Sequence, residues 1–199
     1  MQKFQFNQHA ADTAAARAGA LLIAACMTAA TLVTTGCGDT GSASAAHADR
    51  PAAPAISLDA AIIAGDDNAV RDHIIAGTSV NKPNITGDTP LSLAAVFGRT
   101  YAAEVLVGAG AELETRNSSG ATPLFNAAFF CHPDVVRVLI DAGADTETTD
   151  ANGTPIRQVM EMPWTRIEPV YTSLYTAIGI PFDAESIEST RPKIAEMLD

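Results

Sequence analysis

Gly87-Asp88-Thr89-Pro90-Leu91 returns as Gly120-Ala121-Thr122-Pro123-Leu124, and a third version stands at Asn152-Gly153-Thr154-Pro155-Ile156. The glycines are spaced at 120 − 87 = 33 and 153 − 120 = 33 residues. The correspondence extends past the turn: Leu91-Ser92-Leu93-Ala94-Ala95 aligns with Leu124-Phe125-Asn126-Ala127-Ala128. Val105-Leu106-Val107-Gly108-Ala109-Gly110-Ala111 aligns with Val138-Leu139-Ile140-Asp141-Ala142-Gly143-Ala144. One period earlier lies a weaker copy, with Leu58, Ala61, Gly65, Val70, Ile74 and Gly77 in register. A fixed period of this length marks a stacked array, in which each unit buries its apolar face against its neighbours.

Each repeated residue has a mechanical reason. Thr89 and Thr122 suit helix N-caps, where a hydroxyl accepts an orphan backbone N–H. Pro90 and Pro123 then fall in the first turn, where a missing N–H costs nothing and φ is preset. Gly77, Gly110 and Gly143 follow apolar helices and can take the left-handed terminal conformation. Asn84-Ile85-Thr86-Gly87, Asn117-Ser118-Ser119-Gly120 and Asp150-Ala151-Asn152-Gly153 are turn sequences. Each unit therefore reads as helix, tight turn, helix, extended turn. This pattern resembles the ankyrin-repeat family, over about Ile56 to Ile156. The resemblance implies an all-α solenoid of helix-turn-helix units with β-turn-like fingers. The units are expected at about 56–80, 81–113 and 114–146, with a divergent C-terminal repeat and cap over 147–199.

The divergence is visible at Thr154-Pro155, which comes one residue early, and at Met162-Pro163-Trp164, which interrupts the expected inter-helix turn. Beyond it, Ile167, Val170, Leu174 and Ile178 mark one face of an amphipathic helix. Pro192–Leu198 suggests a short final helix, and Trp164 is assigned to the packing of the cap.

The start of the chain has a different composition. Lys3 and Arg17 precede an uncharged stretch, residues 18–36, rich in Ala, Leu, Ile, Val and Thr. That order is the order of a secretory signal. It ends at Thr34-Thr35-Gly36-Cys37, which resembles a bacterial lipobox with Thr34 in place of the usual Leu. Residues 1–37 are read as a signal ending in a lipidated Cys37, and 38–55, rich in Gly, Ser, Ala and Pro, as a flexible linker. Cleavage after Ala46-His47-Ala48 and retention of an uncleaved anchor are the alternatives. Gly38 after the cysteine favours outer-membrane sorting in enteric-type bacteria, so the expected location is the periplasm, membrane-attached through the N-terminus.

The chain has 199 residues and 23 acidic against 12 basic side chains. Without residues 1–37 the balance is 22 against 10, and no basic stripe exists, which argues against nucleic acid as a partner. Of three cysteines only Cys131 lies in the repeat region, so no internal disulfide is available there. Cys131 aligns with Gly98 and Gly65 at the inter-helix turn. Cys131-His132-Pro133-Asp134 matches the family's frequent Gly-His-x-Glu turn, and a Cys-His nucleophile is disfavoured because adjacent turn residues rarely aim at each other. The histidines have no zinc spacing, and phosphate-binding and hydrolase motifs are absent from the sequence. No cofactor, metal or catalytic activity is expected.

The resemblance implies a protein-binding module whose finger tips and inner helices form the gripping strip. Carried over by position, the tips are Ile85, Thr86, Asp88, Arg116, Ser118, Ser119, Ala121, Thr149 and Ala151. The inner-helix ends are Val96, Phe97, Phe129 and Phe130. The expected role is that of a monomeric adaptor or scaffold in the bacterial envelope. The alternative is an inhibitor or immunity-type protein masking an envelope enzyme or toxin. If Cys37 is the processing site, Cys37→Ala abolishes acylation and leaves uncleaved precursor. Normal maturation of that variant, read by mass spectrometry, would remove the lipoprotein reading.

Overall fold

The computed structural model of the protein describes residues 51–179 and 181–199. The signal, Cys37 and residues 38–50 of the linker lie outside the described residues. Among the described residues the elements are helices: α1 (Leu58–Ala64), α2 (Asp67–Ile75), α3 (Pro90–Val96), α4 (Thr100–Gly108), α5 (Pro123–Phe129), α6 (Pro133–Asp141), α7 (Ile156–Glu161), α8 (Trp164–Ile178) and α9 (Ala184–Met197). They fall into two compact units, 162–185 and the remainder.

In the larger unit the helices form two layers. The inner helices stack in the order α1, α3, α5, α7, and the outer helices in the order α2, α4, α6. The caps stand where the Thr-Pro pairs lie. Thr89 Oγ1 accepts from Ser92 N at 3.2 Å and Thr122 Oγ1 from Phe125 N at 3.2 Å, with Pro90 and Pro123 opening the helices. The inner helices α3 and α5 bury Leu91, Ala94 and Ala95, and Leu124, Ala127 and Ala128. The outer helices bury Ala102, Ala103 and Leu106, and Val135, Val136 and Leu139. The small alanines let helix backbones approach while the leucines fill the layer between them.

Two positions require a backbone without a side chain. At Gly98 (φ +63°) a Cβ would lie 2.6 Å from the His132 ring, and at Gly120 (φ +76°) it would lie 2.8 Å from Ala151 of the next finger. Cys131, in register with Gly98, adopts φ 58°, as the alignment requires, although it carries a side chain. That is a left-handed conformation which L-residues take at a cost.

The third finger folds, but the Thr-Pro cap does not form after it. Thr154 N donates to Asp150 Oδ1 at 2.8 Å, and α7 opens at Ile156 rather than at Pro155. The family pattern has lost one residue here, so the threonine is drawn into the finger. In the same unit, the end of α9 returns to α7: Arg191 is buried and donates from Nη2 to Val159 O at 2.7 Å, beside buried Ile187 and Ile194. The final helix starts at Ala184, eight residues before the Pro192 start expected from sequence (192 − 184). Pro192 lies inside the helix, and both it and Glu188 are exposed, so water can take the carbonyl that the proline leaves without a donor. Within the smaller unit, Trp164 stacks on Tyr171 and Phe182 at centroid distances of 5.9 and 6.5 Å, and Tyr175 closes the cluster.

Asn126, on an inner helix, works against the stack. It is buried and its Nδ2 has no hydrogen-bond partner, whereas the same register one repeat earlier holds Leu93. A buried donor without an acceptor costs about 1–3 kcal/mol. Asn126→Leu is therefore expected to raise the unfolding free energy by about 1 kcal/mol. Leu124→Ala should lower it by about 2–5 kcal/mol through a cavity. Denaturant titration of both variants checks the opposite signs.

Candidate protein-binding surface

The fingers are built by one side chain per repeat. Asn84 Oδ1 accepts from Thr86 N and Asp88 N at 2.9 and 3.0 Å. Asn117 Oδ1 accepts from Ser119 N and Ala121 N, both at 3.1 Å. Asp150 Oδ1 accepts from Asn152 N and Thr154 N at 2.9 and 2.8 Å. A short polar side chain that satisfies two backbone donors makes the turn locally self-sufficient.

Neighbouring fingers are then tied together. Asn117 Nδ2 donates to Asp88 Oδ1 at 2.7 Å, and Ser118 Oγ donates to Thr86 O. Arg116 Nη1 donates to Gly120 O and to Thr149 O, each at 2.6 Å. A guanidinium held by two carbonyls remains a cation but is fixed in direction.

These bonds sort the expected contact residues. Ile85 stands at the tip and is 85% exposed. Arg116 and Ser118 are exposed, yet both also serve as finger ties. Val96, Phe97 and Phe129 are half-buried at the ends of α3 and α5. The expectation that Asp88 is an exposed tip is overturned: it is 6% exposed and accepts from Thr86 Oγ1 as well as from Asn117. Ala121, in the same register, is buried too. That register closes the finger, so its residue faces inward. Phe130 is buried at 8% exposure, while Phe129 stacks on Phe125 with centroids 6.3 Å apart. Consecutive helical residues point about 100° apart, which separates the two rings between core and surface.

A feature not read from the sequence is a ladder in register. Ile63, Val96 and Phe129 are spaced at 96 − 63 = 33 and 129 − 96 = 33, are all half-buried, and stand near the C-terminal ends of successive inner helices. The carbonyls of the first two rungs are taken by the next repeat. Arg99 Nη2 donates to Ile63 O at 2.7 Å, and His132 Nε2 to Val96 O at 3.0 Å. The carbonyl can only accept, so Nε2 carries the ring proton. His132 is thereby committed to the stack rather than to Cys131. The 33-residue period could have exposed this ladder, because Arg99 and His132 are also one period apart.

Residues 58–150 match the family model for ankyrin repeats, in three copies. These residues are ankyrin repeats. No curated protein matches the chain. Ankyrin repeats are modules of protein–protein interaction and are generally not catalytic. Among the described residues no group of His, Cys, Asp and Glu is arranged to hold a metal ion. No described helix is long and apolar enough to cross a membrane.

Burial pushes the His132 imidazole below its ordinary value; the bond to Val96 opposes that shift and the nearby Arg99 charge adds to it. An unfolded chain binds the proton more readily, so the contribution of His132 is fully present above about pH 6.5 and declines as pH falls below it toward the depressed native value. His132→Gln keeps a donor for Val96 O but cannot titrate. Its melting temperature is expected to fall less than that of the natural chain between about pH 7.5 and 5.5. Parallel declines, measured by circular dichroism, would show that His132 does not titrate in this window.

Proposed function

We propose that the chain is a non-catalytic, monomeric adaptor of the bacterial envelope, exported by its N-terminal signal and tethered through a lipid on Cys37. Its ankyrin repeats bind a protein across the inner-helix ends and the finger tips. The observation that carries the reading is the Ile63–Val96–Phe129 ladder, three large apolar side chains left partly in water although the residue before each, Ile62, Ala95 and Ala128, is wholly buried. Half-exposed aromatic and aliphatic groups in one register serve as interface anchors. Ile85 adds an apolar tip over the same set of fingers.

Capture from an envelope extract with the full-length chain, followed by mass spectrometry, tests it. Phe129→Ala is expected to weaken binding of the captured protein by about 2 kcal/mol or more, near thirtyfold, with little loss of melting temperature. Ile85→Ser, at an exposed position, should weaken it without any change in stability. Unchanged capture by both folded variants removes the strip as the site. Capture of a toxin or an envelope enzyme, inhibited on binding, would replace the adaptor by the inhibitor.

A further inference from the structure

The chemistry of the partner can be narrowed, resting on the strip as the binding surface. The inner helices α1, α3 and α5 carry a single charge, Asp59, so the floor between the ladder rungs is neutral. Along the fingers and their bases stand Glu112, Glu114, Asp145, Glu147 and Asp150, against Lys82 and Arg116. At the opposite, inter-helix-turn side stand Asp66, Asp67 and Asp134, against Arg99.

The rim acids are held by neutral donors. Glu114 Oε1 accepts from Asp145 N at 2.9 Å, Asp145 Oδ1 from Glu147 N at 3.0 Å, and Glu112 Oε2 from Thr115 Oγ1 at 2.8 Å. Such bonds fix a carboxylate without cancelling its charge. Among the described residues the ion pairs are Arg71–Asp72, Arg157–Glu161 and Arg157–Asp199, and they take none of these rim acids. Arg99 donates from Nη2 to Ile63 O and Arg116 from Nη1 to Gly120 O and Thr149 O, so the bonds of both go to backbone carbonyls rather than to rim acids. A charge that approaches over an apolar floor is screened less than one in open water, so the sign of the rim decides which segment can lie there. A like-charged segment would be repelled.

We propose that the strip binds a cationic polypeptide segment with an apolar stripe. Packed helices lie about 8–10 Å apart, so successive rungs of the ladder repeat at about that distance. Apolar residues one heptad apart on a helix are separated by about 10 Å. An amphipathic helix of roughly three heptads, with Leu along one stripe and Lys on the other faces, therefore matches both the rungs and the rim.

The test is titration of the full-length chain with that Lys/Leu peptide, with its Glu/Leu counterpart and with a scrambled Lys/Leu peptide, by fluorescence anisotropy at low and high salt. The Lys/Leu peptide is expected to bind, to weaken as salt rises, and to lose at least about tenfold in affinity both with Phe129→Ala and with the double variant Glu114→Gln, Glu147→Gln. The double variant Glu104→Gln, Asp141→Asn, on the exposed surface of the outer helices, should leave it unchanged. Melting curves establish that each variant is folded. The proposal is overturned if the Lys/Leu peptide does not bind, if the scrambled peptide binds as tightly, or if the outer-helix variant weakens binding as much as the rim variant. A Glu/Leu peptide that binds equally well and is sensitive to Phe129→Ala overturns the cationic partner while leaving the strip as a protein-binding surface. Binding insensitive to Phe129→Ala for every peptide removes the strip itself.

Discussion

A seven-residue helix cannot stand alone in water, and α1, α3 and α5 are each seven residues long. Two turns give too few internal hydrogen bonds to offset nucleation. Every inner helix therefore exists because another lies on each side of it, or because a cap does. The rest of the architecture follows from this dependence. Alanines bring the backbones close, leucines fill the layer, and a tight turn sends the chain back as an outer helix that covers the pair. The same dependence explains why α7, with six residues and no threonine cap, is joined by the far end of α9 through Arg191 and Val159.

Short helices also leave a large share of their carbonyls without internal donors. The chain supplies donors from the following repeat: Arg99 serves Ile63 O and His132 serves Val96 O. Loop carbonyls are served in the other direction, Gly110 O by Asn81 Nδ2 and Thr149 O by Arg116. These bonds reach across about one period, so they join repeats rather than merely decorate them. The order of the stack is thus held by polar register as well as by apolar burial. A shift of one residue would leave each of these acceptors unmatched.

Much of the fold was legible because stacking leaves little freedom at Thr89, Pro90, Leu91 and their copies. The same logic located the left-handed residue at Cys131 by its alignment with Gly98. The surface was legible in part. Ile85, Val96, Phe97 and Phe129 have the accessibility that the resemblance implies, and only one of Phe129 and Phe130 could enter the core. Asp88 and Ala121 could not be read correctly, because turn composition does not reveal which turn residue faces inward; that is set by the Asn84 and Asn117 side chains. The C-terminal boundary was missed for a related reason. Proline suits a helix start, but α9 runs through Pro192 because the orphaned carbonyl is at the surface.

The finger ties have a consequence for how such a chain can change length. A deletion of one residue between Asp88 and Thr149 moves off its acceptor any donor whose bond spans the gap, Asn117 on Asp88 in one stretch and Arg116 on Thr149 in the next. A duplication of a whole 33-residue unit moves donor and acceptor together and leaves each joint chemically the same as before. The array is therefore quantised in evolution as it is in space: it grows or shrinks by entire repeats, up to the point after Gly153 where the shared register ends. Recombination between copies is the natural way for this protein to alter the reach of its binding surface without rebuilding its core.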